Sequence, residues 1–190
     1  FHTRSFKRYA LRMLLFAVLS EVPFDLMYGG TVFYPVHQNV IWTLLLGLLG
    51  IRLMEAARAK GKRWLYVLTC AAVVVLGFAI GTLGMVDYYG AGVLTVFAFY
   101  FFRERKWWCL LGQLAALYWL NVVVLGGQMY PVTLFGREIE LCEQGLALLA
   151  LVPIWLYRGR QGHHSKAFQY ACYAFYPAHM LVLALLTMIQ

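Results

Sequence analysis

The chain has 190 residues, 63% of them hydrophobic and 13% charged, with a mean hydropathy of +0.70. A soluble domain carries roughly 25% charged residues, so this composition excludes one and describes an integral membrane protein. The net charge of +8 does not signal nucleic acid, because the basic residues lie between hydrophobic segments, where they report topology.

Lipid admits only helices or closed barrels, and continuous apolar runs such as Leu65 to Leu83 favour helices over alternating strands. The fold class is therefore all-α, a polytopic transmembrane helix bundle that forms a single domain over residues 1–190. In chain order the candidate helices lie at about Tyr9 to Tyr28, Val40 to Glu55, Trp64 to Met85, Tyr89 to Phe102, Trp107 to Leu125, Leu141 to Tyr157 and Phe168 to Gln190. Crossing the hydrocarbon takes ~20 residues. The fourth segment, with about fourteen, therefore reads as little tilted, set in thinned bilayer, or re-entrant.

Lys and Arg fall at positions 4, 7, 8 and 12, then 52, 58, 60, 62 and 63, then 103, 105 and 106, then 158, 160 and 166. These clusters occupy alternate helix ends, and only Arg137 falls on the other side. The positive-inside rule then puts the start of the chain in the cytoplasm and its end outside, with the fourth segment spanning. Acidic residues run the opposite way. Glu21, Asp25, Asp87, Glu138, Glu140 and Glu143 lie on or near the outer side, and Glu55 and Glu104 lie inside. An outer site for a cation or an amine is one explanation; a solvated loop face is the other. The chain begins at Phe1 with no signal-peptide-like region before Arg4, which reads as the later part of a longer protein.

The chemistry-bearing residues start with Arg4, Arg8 and Arg12, which recur every four positions with Lys7 beside them. Like charges at this spacing repel unless an anion neutralises them. Lipid phosphate is one candidate; a phosphate-bearing donor such as coenzyme A is another, with arginine supplying its bidentate fork. His2, at the inner edge, is either solvated or catalytic, and His163 and His164 read as solvated. Next come Ser20-Glu21-Val22-Pro23-Phe24-Asp25 and His37-Gln38-Asn39-Val40-Ile41-Trp42-Thr43. Ionisable groups here should face the bundle interior, where such groups are usually functional. Asp87, followed by Tyr88, Tyr89 and Gly90, is either a turn residue or a functional carboxylate hydrogen-bonded by tyrosines. His179 follows Tyr176-Pro177-Ala178 about halfway along the last helix, as a proton carrier beside a kink or as a partner in an interhelical hydrogen bond. Gln113, Asn121 and Gln169 read as interhelical glue, and Gly47, Gly50, Gly77 and Gly81 as close-packing positions. Cys70, Cys109, Cys142 and Cys172 have neither CxxC nor metal-ligand spacing, so neither a disulfide framework nor a metal site is read.

Taken together, several segments resemble one family, the TraX-type pilin acetylases. They are His2-Thr3-Arg4 with Tyr9 and Arg12; Ser20 to Asp25; Gln38-Asn39-Val40 with Thr43 to Leu49; Asp87 to Gly92; Phe99 to Arg103; Leu149 to Tyr157; and Tyr173 to Leu183. The resemblance implies a membrane-bound N-acetyltransferase of the bacterial inner membrane. It would move an acetyl group from acetyl-coenzyme A to the N-terminal amine of a pilin subunit, or to a glycan or other small acceptor. Two departures stand out. The family's additional first segments, with their Asp-His pair, have no counterpart here, and Leu156-Tyr157-Arg158-Gly159 stands where the family has Leu-Tyr-Asn-Gly.

On this reading Asp87, His179 and His2 are the catalytic candidates, and Arg4, Lys7, Arg8 and Arg12 hold the donor. Glu21, Asp25, His37 and Asn39 form a polar cluster on the acceptor side, with His37 in the outer loop. Membrane lipid and the acceptor are the partners, and a homo-oligomer stays open. The chain alone is expected to fold without turning over. The alternative is a small proton-coupled transporter or a non-catalytic assembly subunit, for which the paired internal repeats common in transporters are missing.

Overall fold

The computed structural model describes residues 5–134, 136–157, 159 and 165–189. It contains α1 (Phe6–Gly29), α2 (Val40–Ala59), α3 (Arg63–Leu83), α4 (Tyr89–Phe101) and α5 (Trp107–Tyr118), which runs on as a π-helical turn (Trp119–Leu125). A hairpin of β1 (Met129–Leu134) and β2 (Arg137–Cys142) follows, then a 3-10 helix (Glu143–Ala150) continuing into α6 (Leu151–Leu156), and finally α7 (Lys166–Ile189). The described residues form seven α-helices, six of them where the apolar segments of the sequence place them, and the all-α class holds. Four stretches are long and apolar enough to cross a membrane: Val40–Ala59, Arg63–Leu83, Trp107–Leu125 and Lys166–Met188. With 24 residues, α1 has the length as well, but it carries Lys7, Arg8, Arg12, Glu21 and Asp25. The fourth helix has only 13 residues, ~20 Å by helical rise.

Three features depart from the seven-helix expectation. The segment read as one helix from Leu141 begins instead as a strand and then a 3-10 turn. The antiparallel hairpin runs from Met129 opposite Cys142 to Leu134 opposite Arg137. Gly126 and Gly127, at φ 67° and 110°, end the preceding helix in a region that only glycine enters without cost, which frees the chain to form the strands. The third is the π-helical widening of α5.

Helices α2, α3 and α4 make the centre, with Met54, Val73, Val86, Val93, Phe97 and Tyr100 buried together. Phe97 occupies the space that side chains on Gly50 and Gly77 would fill: a Cβ at either would come within 2.6 or 2.7 Å of its ring. Gly47 meets Val96 and Gly81 meets Val93 in the same way, so all four glycines are close-packing positions. Gln113 is interhelical glue as expected, donating to Phe102 O at 2.9 Å and accepting from Trp155 Nε1 at 2.7 Å. Asn121 and Gln169 are not. Asn121 donates to Leu117 O and Gln169 to the Tyr173 hydroxyl, each within its own helical stretch, because both partners lie four residues away on the same face.

Polar contacts also join helix ends. Arg105 donates to Trp155 O and Tyr157 O, which brings the loop after α4 to the end of α6. Glu55 near the end of α2 accepts from the Tyr100 hydroxyl at 2.5 Å and pairs with Arg58 and Arg103. Much of the remaining apolar surface, including Leu11, Leu15, Val18 and Leu19 of α1, is exposed, as a lipid-facing surface requires. This is a membrane protein.

Candidate functional site

The site forms where α1 outruns α2. Asn39 donates to Ala17 O at 2.8 Å, and Arg52 lies over the Phe6 ring, so α2 starts beside the middle of α1. The last two turns of α1, about Val22 to Gly29, stand beyond that start. Gly30, at φ 66°, ends α1 in the left-handed region, and the chain must fold back along the overshoot to begin α2. Asp25 Oδ2 accepts from Tyr34 N at 3.0 Å on the way, and Gln38 N then donates to Met85 O at 2.9 Å, tying the loop to the α3–α4 turn.

This path buries His37 although it lies in the loop between α1 and α2. Its ring stacks on Tyr28 at 4.6 Å and on Phe24 at 5.7 Å, with Tyr89 edge-on at 5.8 Å. Its Nε2 lies 3.3 Å from Asp87 Oδ1. The Asp87 backbone oxygen accepts from Thr43 Oγ1 at 2.8 Å, so α2 and the Asp87 turn are held together. Burial raises the Asp87 carboxyl above its ordinary value, and His37 beside it opposes that rise. Met85, Tyr88 and Tyr89, at φ 50°, 57° and 51°, are the non-glycine residues with positive φ among those described. All three flank Asp87, and strain of this kind collects at functional sites. Gly92 lets α4 approach, since a Cβ there would lie 2.7 Å from Asp87 O.

Beneath the pair, Asn39 is fully buried and does four things at once. Its Oδ1 caps α2 by accepting from Ile41 N at 3.0 Å, the use for which asparagine is favoured at helix starts. Its Nδ2 donates to Ala17 O and to Glu21 Oε2, while its backbone O accepts from Trp42 N. Glu21 Oε2 also accepts from Trp42 Nε1 at 2.8 Å. Glu21 Oε1, Asp25 Oδ1 and Ser20 Oγ are buried without a partner among the described residues.

Two cavities flank the first turn of α2, and Val40 and Leu44 line both. The first, of about 300 Å³, lies among α1, α2 and α7 and includes Tyr9, Arg12, Phe16, Cys172 and Tyr176. The Tyr176 hydroxyl sits at the Val40 backbone, within electrostatic range of Asp87 and Glu21. The second, of about 350 Å³, lies among α2, α4, the π-helical turn and the 3-10 helix.

The family described as TraX protein matches residues 1–187. The chain belongs to the TraX family. It is also 25% identical over 193 residues to the probable fimbrial assembly protein FimC, serogroup H1, of Dichelobacter nodosus, a match covering 96% of this chain and 72% of that protein. No solved structure matches it.

In this TraX family member, Glu21, Asp25, His37, Asn39 and Asp87 come together at one place. His179 does not join them: its Nδ1 lies 3.0 Å from Phe175 O of its own helix, and its ring stacks on Phe175 and meets Tyr176 edge-on. Lys7 and Arg8 are exposed near the start of α1, and Arg12 lines the first cavity. His2, Arg4, His163 and His164 lie outside the described residues. No group of three or more His, Cys, Asp or Glu among the described residues is placed to hold a metal ion. Sequence reasoning missed the pairing of His37 with Asp87 and the place of Thr43, Trp42 and Tyr176 around it. Trp42 and Thr43 sit in the stretch singled out after His37, and their polar atoms are the signal that was available. Tyr176 had only its place before Pro177 to mark it.

Proposed function

We propose that this protein is an integral membrane acyltransferase of pilus assembly, moving an acetyl group from acetyl-coenzyme A to an amine. By the family resemblance the acceptor is the N-terminus of a pilin subunit. The family and the fimbrial name of the relative support the pilus context. The observation that carries the chemistry is the part-buried His37–Asp87 pair, which lies beside the start of α2, where Val40 and Leu44 line two cavities. An α-amine has a pKa of about 7.7 to 8 and must lose a proton to attack a thioester. With Nε2–H donated to Asp87, His37 keeps Nδ1 as its basic nitrogen, and the carboxylate steadies the imidazolium that forms. The amine nitrogen bonds to the acetyl carbon, the carbon–sulfur bond breaks, and the departing thiolate takes the proton from His37.

The donor enters from the basic side. Lys7, Arg8 and Arg12, with Arg4 ahead of them, hold its phosphates, and the first cavity takes the thioester arm toward Tyr176 and Val40. Replacing Lys7, Arg8 and Arg12 together with Gln is expected to weaken coenzyme A binding, and the affinity of the unaltered protein to fall as salt rises, because the contacts are electrostatic. Unchanged binding in the triple variant would assign the row to lipid phosphate instead.

The bilayer is the bacterial inner membrane, with the start of the chain cytoplasmic and its end outside. In a cysteine-free background, Lys60→Cys should react with an impermeant thiol reagent only from the cytoplasm, and Thr31→Cys only from outside. Labelling of both from one side would defeat this arrangement.

A further inference from the structure

The hairpin of β1 and β2 takes no part in the proposed transfer, yet its two faces differ sharply. Residues directly opposite in an antiparallel pair share a face. The register therefore puts Tyr130 with Leu141 and Val132 with Ile139 on one side, and Pro131 with Glu140 and Thr133 with Glu138 on the other. The first side is apolar and ends at the hairpin tip in Arg137, opposite Leu134. The second side carries the carboxylates. A strand with this alternation normally turns its apolar face onto a core. Here Tyr130, Val132, Ile139 and Leu141 are each between 41% and 47% exposed, and the hairpin packs chiefly on the 3-10 helix that follows it.

Two strands alone are marginally stable in water, so something covers that face, and the way the hairpin is attached says what. Trp107–Leu125 is long and apolar enough to cross a membrane, and Glu143–Leu156 is a shorter apolar helix. Only Gly126, Gly127 and Gln128 separate the first from β1, and the second follows β2 directly. Glu143 N donates to Gln128 O at 3.0 Å and Cys142 Sγ to Gly126 O at 3.1 Å, which ties the base of the hairpin to the end of the π-helical turn. The hairpin, six residues per strand and so ~20 Å long, is thus held at the bilayer surface. Both of its strands are edges, whose unpaired backbone groups need water. That requirement keeps it out of the hydrocarbon and at the interface, where tyrosine rings and the heads of long basic side chains settle. The charges agree. Arg137 stands on the apolar side, toward lipid phosphate, and Glu138 and Glu140 stand on the side away from it.

We propose that the hairpin is a membrane-binding arm that lies along the bilayer surface on the side where α5 ends. Tyr130, Val132, Ile139 and Leu141 enter the lipid interface, Arg137 meets headgroup phosphate, and Glu138 and Glu140 face water.

The test uses the full-length cysteine-free protein in vesicles of phosphatidylcholine and phosphatidylglycerol, with single nitroxide labels on Val132→Cys, Thr133→Cys, Ile139→Cys and Glu140→Cys. Labels at 132 and 139 are expected to be reached better by oxygen than by a water-soluble nickel complex, and labels at 133 and 140 the reverse. Should the cysteine-free protein fail to fold, the unaltered protein gives the same reading in vesicles holding a phospholipid with an aryl-trifluoromethyl diazirine high in one acyl chain. Photolysis should then attach lipid to Tyr130, Val132, Ile139 or Leu141 and spare Thr133, Glu138 and Glu140. Free access of the nickel complex to all four labels, or lipid attached equally to both faces, overturns the arm. Labels at 132 and 139 closed to both reagents overturn it too, because a second copy or another protein would then cover the face in place of lipid.

Discussion

Replacing His37 with alanine is expected to lower the rate of acetyl transfer by a factor on the order of 10² to 10⁴, the usual contribution of a positioned general base. The ring is buried against Tyr28 and Phe24 and 3.3 Å from Asp87, and no other described side chain is placed to take over its basic nitrogen. The acetyl-coenzyme A KM should change little, because the basic row proposed to hold the donor is remote from the pair. Asp87→Asn should cause a loss of similar order, since an amide that donates to Nε2 selects the wrong tautomer. His179→Ala should cost much less, its nitrogen being turned to Phe175 O within α7. The direction with pH follows from the same pair. Catalysis needs the imidazole neutral and Asp87 ionised, so the rate should fall as pH is lowered. Because burial raises the Asp87 carboxyl, the fall should begin at higher pH than an ordinary carboxylate would give. Steady-state kinetics of the variants in proteoliposomes across pH check both statements.

The largest effect on stability is expected at Asn39. Changing it to alanine removes the cap of α2, worth ~1 kcal/mol, and leaves Ala17 O and Glu21 with one donor fewer in a buried place. Stranding such a group costs a further ~1–3 kcal/mol, so the loss should be about 2–4 kcal/mol. Glu21→Gln keeps an acceptor for both Asn39 Nδ2 and Trp42 Nε1 and should cost far less. Adding Glu21→Leu to Asn39→Ala should recover part of the loss, because it removes the buried carboxylate that the first change left short of a donor. Denaturant titrations of the detergent-solubilised variants, read as midpoint shifts, measure all three. Additive losses in the double variant would mean that Asn39 and Glu21 act separately.

The helices were legible because apolar runs of membrane length state themselves. Even the short α4 was legible, read at Tyr89 to Phe102 and found at Tyr89–Phe101, because its run is apolar throughout. The hairpin was not legible: Leu141 and Cys142 lead into an apolar run and read as the start of a helix, whereas they end β2. Nor was the π-helical turn, since Trp107 to Leu125 is apolar throughout and its composition does not record the hydrogen-bond period.

Within the site, the stretches from Ser20 and from His37 could be picked out because charged and amide groups are costly in lipid. Their partner Asp87 could be named as well. That His37 meets Asp87, fifty positions away, could not be read. The pairing is set by the overshoot of α1 and by the bond from Gln38 N to Met85 O, which uses backbone groups that every residue of that kind carries. His179 was attractive for its depth along a helix, but depth does not say toward which neighbour a ring turns.

The most direct test of the central claim is acetyl transfer by the full-length protein in proteoliposomes, supplied with labelled acetyl-coenzyme A and a free-amine peptide matching a pilin N-terminus. The label should appear on the peptide α-amine with the unaltered protein and be nearly lost with His37→Ala, while coenzyme A binding persists. Transfer at an undiminished rate by folded His37→Ala, or none by the unaltered protein, would contradict it.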